Sequence, residues 1–145
     1  MSKKRKQSKD DFTAVIIGAG RIASQFDSPQ SREVLTHAHA FSKHPQVDLR
    51  GMLDIKKGVA RREGKKWGCP AYDDVDIMMK AVQPDIVSIC TPDMSHFDML
   101  LKVASYKPRI VICEKPVTMN ITDTRKIVRL YHRLNIPIIV NYSRR

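Results

Sequence analysis

The sequence predicts an α/β domain with a doubly wound parallel sheet, and three observations carry that prediction. Short β-branched runs alternate with amphipathic stretches of helix length, which is the pattern of successive βαβ units. A glycine turn follows the first run and opens a helix, and further polar clusters follow later runs, at the strand ends where open parallel sheets take ligands. With 145 residues and 42% hydrophobic content, the chain can close one core but not two, so a single domain is expected.

The N-terminal segment MSKKRKQSKDD (1–11) reads as a disordered basic tail. The net charge of +11 resembles that of a nucleic-acid binder, but five of the 26 Lys and Arg residues fall within the first nine positions. No apolar run approaches the roughly 20 residues of a membrane span. No apolar signal core follows the charged N-terminus, so a cytoplasmic protein with no membrane partner is expected.

Strands are expected at 13–17, 48–53, 85–90, 109–113 and 137–140, where nearly continuous apolar residues suit a sheet covered on both faces. Helices are expected at 73–82, with Asp73 and Asp74 as caps, and at 94–106 and 121–134, each with apolar residues at helical spacing. The first helix should leave Gly20, break at a loop over 25–33 around Ser28-Pro29, and resume near Val34.

Gly18-Ala19-Gly20-Arg21-Ile22-Ala23 carries the sharpest chemistry. The first glycine permits a tight turn, the second leaves room for a pyrophosphate, and Ala23 lets the helix pack closely on the strand. The helix N-terminus would offer N–H groups and a favourable dipole. Asp54 closes the second strand, where a carboxylate can accept hydrogen bonds from adenosine ribose hydroxyls and repel a 2′-phosphate. NAD is therefore favoured, with NADP kept open because Lys56 and Lys57 follow. The bland reading of those lysines, with Arg61, Arg62, Lys65 and Lys66, is a solvated helix face; that of Asp54 is a helix cap.

Two more clusters lie at strand ends: Cys90-Thr91-Pro92-Asp93-Met94-Ser95-His96 and Cys113-Glu114-Lys115-Pro116. With the glycine turn and Asp54, they resemble the glucose-fructose oxidoreductase and inositol 2-dehydrogenase family, Gfo/Idh/MocA, across 12–145. The resemblance implies a Rossmann domain with sheet order 3-2-1-4-5-6. It also implies a catalytic Lys115 beside the nicotinamide, Glu114 near the cofactor ribose, and Thr91-Pro92 lining the cofactor groove.

The resemblance further implies that His96 opens the fourth helix near the cofactor and that Pro116 follows a cis peptide bond. Physically, hydride loss from an alcohol carbon requires the hydroxyl proton to leave, and a lysine can hold that oxygen and relay the proton. The expected cofactor-binding set is Gly18, Gly20, Arg21, Ile22, Asp54, Cys90, Thr91, Pro92, His96, Glu114, Lys115 and Asn141. The family places further catalytic groups on a domain after the sixth strand, and that substrate domain is expected to lie outside this sequence. A small sugar-like substrate and a homo-oligomer complete the expectation.

His37, His39 and His44 cluster in sequence, but spacing of two on a helix points His37 and His39 apart. They read as surface or helix-packing residues, and no metal is expected. Cys69, Cys90 and Cys113 form neither a zinc pattern nor a disulfide framework and read as reduced buried thiols. The alternative function is a non-catalytic nucleotide-binding module whose basic tail grips nucleic acid or another acidic partner, with a steep salt dependence.

Overall fold

The computed structural model describes residues 11–142. Strands β1 (Phe12–Ile17), β2 (Val47–Leu53), β3 (Ala71–Tyr72), β4 (Ile86–Ile89), β5 (Ile110–Glu114) and β6 (Ile138–Asn141) form one sheet in the order β3-β2-β1-β4-β5-β6. Every neighbouring pair is parallel. The chain runs outward from β1 to β3 and then returns to β4, so the order reverses between β1 and β4. A crevice opens at that point in sheets of this kind.

The period of two along β1 sorts its side chains into two cores. Val15 and Ile17 join Met78 and Met79 of α3 (Val75–Val82), Leu100 of α4 (His96–Ala104) and Ile127 and Tyr131 of α5 (Ile121–Leu134) on one face. Ala14 and Ile16 join Phe41 of α1 (His37–Lys43) and Trp67 of α2 (Lys57–Trp67) on the other. Full burial of each large apolar side chain contributes about 1.5–3 kcal/mol before entropy is counted.

Helix α5 has the expected bounds, and its cap Asn120 accepts the Asp123 amide at 2.8 Å. Asp74 rather than Asp73 caps α3, accepting the Ile77 amide at 2.8 Å. The 94–106 helix begins instead as a 3-10 turn over Asp93–Ser95 and becomes α-helical only at His96. Strand β3, only two residues long, has too little pattern to be read from the sequence.

The first crossover differs most from expectation. After Gly20 the chain makes one π-helical turn, Arg21–Gln25, closed by the Phe26 amide on the Arg21 carbonyl at 3.1 Å. Regular helix resumes at His37, not at Val34. The cause is Asp27: its carboxylate accepts the Leu35 and Thr36 amides at 2.7 and 3.2 Å and the Thr36 hydroxyl at 2.6 Å. Those bonds keep Val34 and Leu35 outside the helix, and Thr36 then caps it by accepting the His39 amide at 3.1 Å.

The disordered tail expected at 1–11 falls, except for its last residue, outside the described residues. Among the described residues, no helix is long and apolar enough to cross a membrane.

Candidate functional site

Five strand ends converge on one groove. Gly18 follows β1, Asp54 follows β2, Cys90 and Thr91 follow β4, Glu114 ends β5 with Lys115 just after it, and Asn141 ends β6. The groove has two compartments. One, of about 450 Å³, is walled by Gly18, Gly20, Asp54, Lys56, Thr91 and Pro92, among others. The second, of about 400 Å³, is walled by Ile22, Phe26, Glu114, Lys115, Asn141 and Tyr142, with Cys90 and Thr91 common to both.

The turn geometry fits a dinucleotide. Gly18 has φ +91°, and a Cβ there would lie 2.7 Å from the Cys90 carbonyl group, so this position excludes any side chain. A Cβ on Gly20 would meet no protein atom within 4 Å, which leaves open space beside the backbone where a pyrophosphate is expected from the sequence. The buried Thr91 hydroxyl has no hydrogen-bond partner among the described residues, an unmet capacity in the wall shared by both compartments. The helix contribution is smaller than expected. A single π-turn brings its backbone amides but little summed dipole.

Asp54 Oδ2 accepts the Ala19 amide at 3.0 Å, and Oδ1 accepts the Lys56 amide at 2.9 Å. Each oxygen retains a lone pair for a ribose hydroxyl. Lys57, one of two lysines weighed as a partner for a 2′-phosphate, instead pairs with Asp73 at 2.8 Å. Lys56 stays in the wall.

At the other compartment, His37 Nε2 donates to Glu114 Oε1 at 2.7 Å, and Asn141 Nδ2 donates to the same oxygen at 2.5 Å. His37 Nδ1 reaches Ser88 Oγ at 2.9 Å. Burial disfavours the charged His37 ring, yet the neighbouring Cys90 sulfur and the Glu114 carboxylate outweigh it and push its pKa up to about 10. Burial likewise works against the Glu114 carboxylate, but His37 and Asn141 hold its pKa below the usual range. At neutral pH the two form a part-buried ion pair. Lys115 is exposed in the cavity, and its peptide bond to Pro116 is cis.

His96 stands behind the groove, not in its wall. Its ring is 1% exposed, with Nδ1 2.7 Å from the Pro116 carbonyl and Nε2 2.9 Å from the Thr91 carbonyl. Arg21 is exposed and lines neither compartment. The other expected residues meet in the groove. His37 and His39 do point apart as their spacing requires, but both are buried, contrary to a surface role. His37 reaches β4 and β5, while His39 Nδ1 bonds to Asp27 at 2.8 Å and its ring lies 5.5 Å from that of Trp67.

Sequence reasoning missed His37, Ser88, Phe26 and Tyr142. Only His37 carried a usable signal: a carboxylate at the end of an interior strand needs donors, and the first crossover supplies His37.

The family described as an oxidoreductase family with an NAD-binding Rossmann fold, GFO_IDH_MocA, matches residues 12–142. D-glucoside 3-dehydrogenase of Escherichia coli K12 is 25% identical over 98% of this chain and 38% of its own length. Inositol 2-dehydrogenase of Rhizobium meliloti is 25% identical over 90% of this chain and 36% of its own length. A putative myo-inositol dehydrogenase from Sinorhizobium meliloti superposes with TM-score 0.78 at 25% identity, covering 92% of this chain and 37% of that structure.

The WlbA dehydrogenase from Bordetella pertussis, solved with NADH and UDP-GlcNAcA, has the same fold. Its TM-score is 0.78 at 18% identity, over 92% of this chain and 36% of that one. The chain thus spans 36–38% of the length of these relatives.

Proposed function

The chain belongs to the GFO_IDH_MocA oxidoreductase family, and from that premise we propose that residues 12–142 serve as the NAD-binding part of a dehydrogenase. The reaction is reversible hydride transfer between NAD and a hydroxyl-bearing carbon of a sugar, nucleotide-sugar or cyclitol. Substrate selection rests on groups outside these residues. The observation that carries the reading is the placement of Lys115 and the unpartnered Thr91 hydroxyl in the walls of one groove that begins at the glycine turn.

NAD, when bound, supplies the hydride acceptor. The chain's residues do the rest. Backbone at Gly18 and Gly20 gives the phosphates access, and Asp54 takes the adenosine ribose. Thr91 and Pro92 line the passage between the compartments, and Glu114 and Asn141 lie on the nicotinamide side. In the oxidising direction the neutral Lys115 amine accepts the hydroxyl proton as the carbon gives up its hydride, and the ammonium so formed holds the carbonyl oxygen; in reverse it returns the proton.

NADH is preferred over NADPH because Asp54 carries negative charge where the extra phosphate would sit, and Lys57 is engaged with Asp73. Fluorescence titration of the full chain with each nucleotide tests the reading. Saturable binding, tighter for NADH, is expected; no saturation by either nucleotide would overturn it.

Two further features belong to the proposal. Homo-oligomerisation is favoured by Val34, Leu35 and Ile139, about half exposed around a cavity of about 330 Å³ beside the edge strand β6. Cytoplasmic residence is favoured by three free, buried thiols, of which burial pushes Cys69 and Cys113 up to about 12.

A further inference from the structure

Glu114 and Lys115 are sequence neighbours of opposite charge that line the same cavity, yet the carboxylate pairs elsewhere. Its Oε1 takes His37 at 2.7 Å and Asn141 at 2.5 Å, and the Lys115 backbone amide also bonds to the carboxylate. His37 is locked from behind, because its second ring nitrogen meets the fully buried Ser88 hydroxyl at 2.9 Å. Among the described residues, the Lys115 ammonium has no ion-pair partner.

Without His37 and Asn141, the Lys115 ammonium in the wall of the same cavity would be a charge complement open to Glu114. In a cavity at a protein surface such opposite charges attract more strongly than in bulk water. We infer that His37 and Asn141 are positioning residues that sequester the Glu114 carboxylate and so leave the Lys115 ammonium uncompensated and available to a substrate oxygen. The inference rests on the reading of Lys115 as the substrate-facing group. It adds that this availability is created from three directions: α1 through His37, β4 through Ser88 and β6 through Asn141.

Competitive acetylation of the full chain at neutral pH, quantified at Lys115 by peptide mass spectrometry with solvent-exposed Lys65 as internal reference, reads the state of the amine directly. An amine held by a carboxylate stays in its unreactive charged form. In His37→Phe, Lys115 labelling is expected to fall about tenfold, the scale of one close opposite charge.

Adding Glu114→Gln to His37→Phe should restore the labelling, which mere loosening of the fold would not do. His37→Gln, which keeps a donor, should lie between wild type and His37→Phe. Unchanged labelling in folded His37→Phe, or a fall that Glu114→Gln does not reverse, overturns the inference. Should His37→Phe fail to fold, Asn141→Ala carries the same test: a fall reversed by Glu114→Gln supports the inference, and unchanged labelling overturns it. NADH titration of the wild type is read separately. Its failure would defeat the cofactor reading and leave the labelling result standing.

Discussion

Asp54 and Ala19 are joined by a hydrogen bond of 3.0 Å from the Ala19 amide to the Asp54 carboxylate. The acidic residue at the end of β2 therefore braces the glycine turn at the end of β1, so the ribose and phosphate ends of the proposed site share one support.

Replacing Asp54 by Ala removes that brace and the ribose acceptor together. NADH affinity is expected to fall about tenfold, or about 1.4 kcal/mol, while NADPH affinity falls less because a repelling charge is also lost. Parallel fluorescence titrations check this, and equal NADH affinity in a folded variant would sink the assignment.

The two glycines should separate folding from binding. Gly18→Ala places a Cβ against the Cys90 backbone at positive φ and should cost about 2–4 kcal/mol. Gly20→Ala meets no protein atom, so its melting curve should stay near that of wild type while NADH binding is lost. Equal effects of both on stability would show that the open space beside Gly20 has been misread.

Asp27 should govern acid stability. Burial opposes its charged form, but bonds from Thr36, Leu35 and His39 outweigh that and hold its pKa below the usual aspartate range. A lowered folded pKa gives stability that is present above the unfolded value and lost as pH falls through the folded one. Asp27→Asn should therefore cost about 2 kcal/mol at neutral pH, and the gap from wild type should close as pH drops below about 4. Urea melts across that range decide it.

His37 should act at the opposite end. Its pKa rises from 6.5 to about 10, so its contribution is complete below 6.5 and disappears as pH rises through about 10. Glu114, lowered from 4.5, loses its contribution as pH falls through its folded value. The melting-temperature gap between wild type and His37→Phe should be widest between these limits and shrink on both sides. A gap that does not vary with pH would contradict the ion pair.

Self-association should depend on the apolar patch beside β6. Wild type should sediment as a dimer or larger species, and Ile139→Lys with Leu35→Lys should shift it to monomer. A wild-type chain that stays monomeric at high concentration would remove the oligomer from the proposal.

Most of the elements and most of the groove were legible because they depend on short-range signals, and the sheet order followed from the family resemblance those signals carry. Alternation locates β1, β4 and β5, and their C-terminal residues must meet at the point where the order reverses. What escaped depends on contacts distant in sequence. Nothing near Asp27 announces that it will capture Leu35 and Thr36 and delay α1 to His37. Nor does the spacing of His37 and Glu114, 77 residues apart, predict their pairing. His96 was misplaced for a related reason: its position opening α4 is near the groove, but its ring turns inward to two carbonyls.

That inward turn bears on how the site can change over time. The carbonyls His96 meets belong to positions 91 and 116, and every amino acid supplies a backbone carbonyl. The staple between the two loops is thus indifferent to the side chains it holds in register. Exposed side chains at 92–94 can therefore be exchanged without untying the frame beneath them, so the rim of the groove is free to diversify on a fixed anchor.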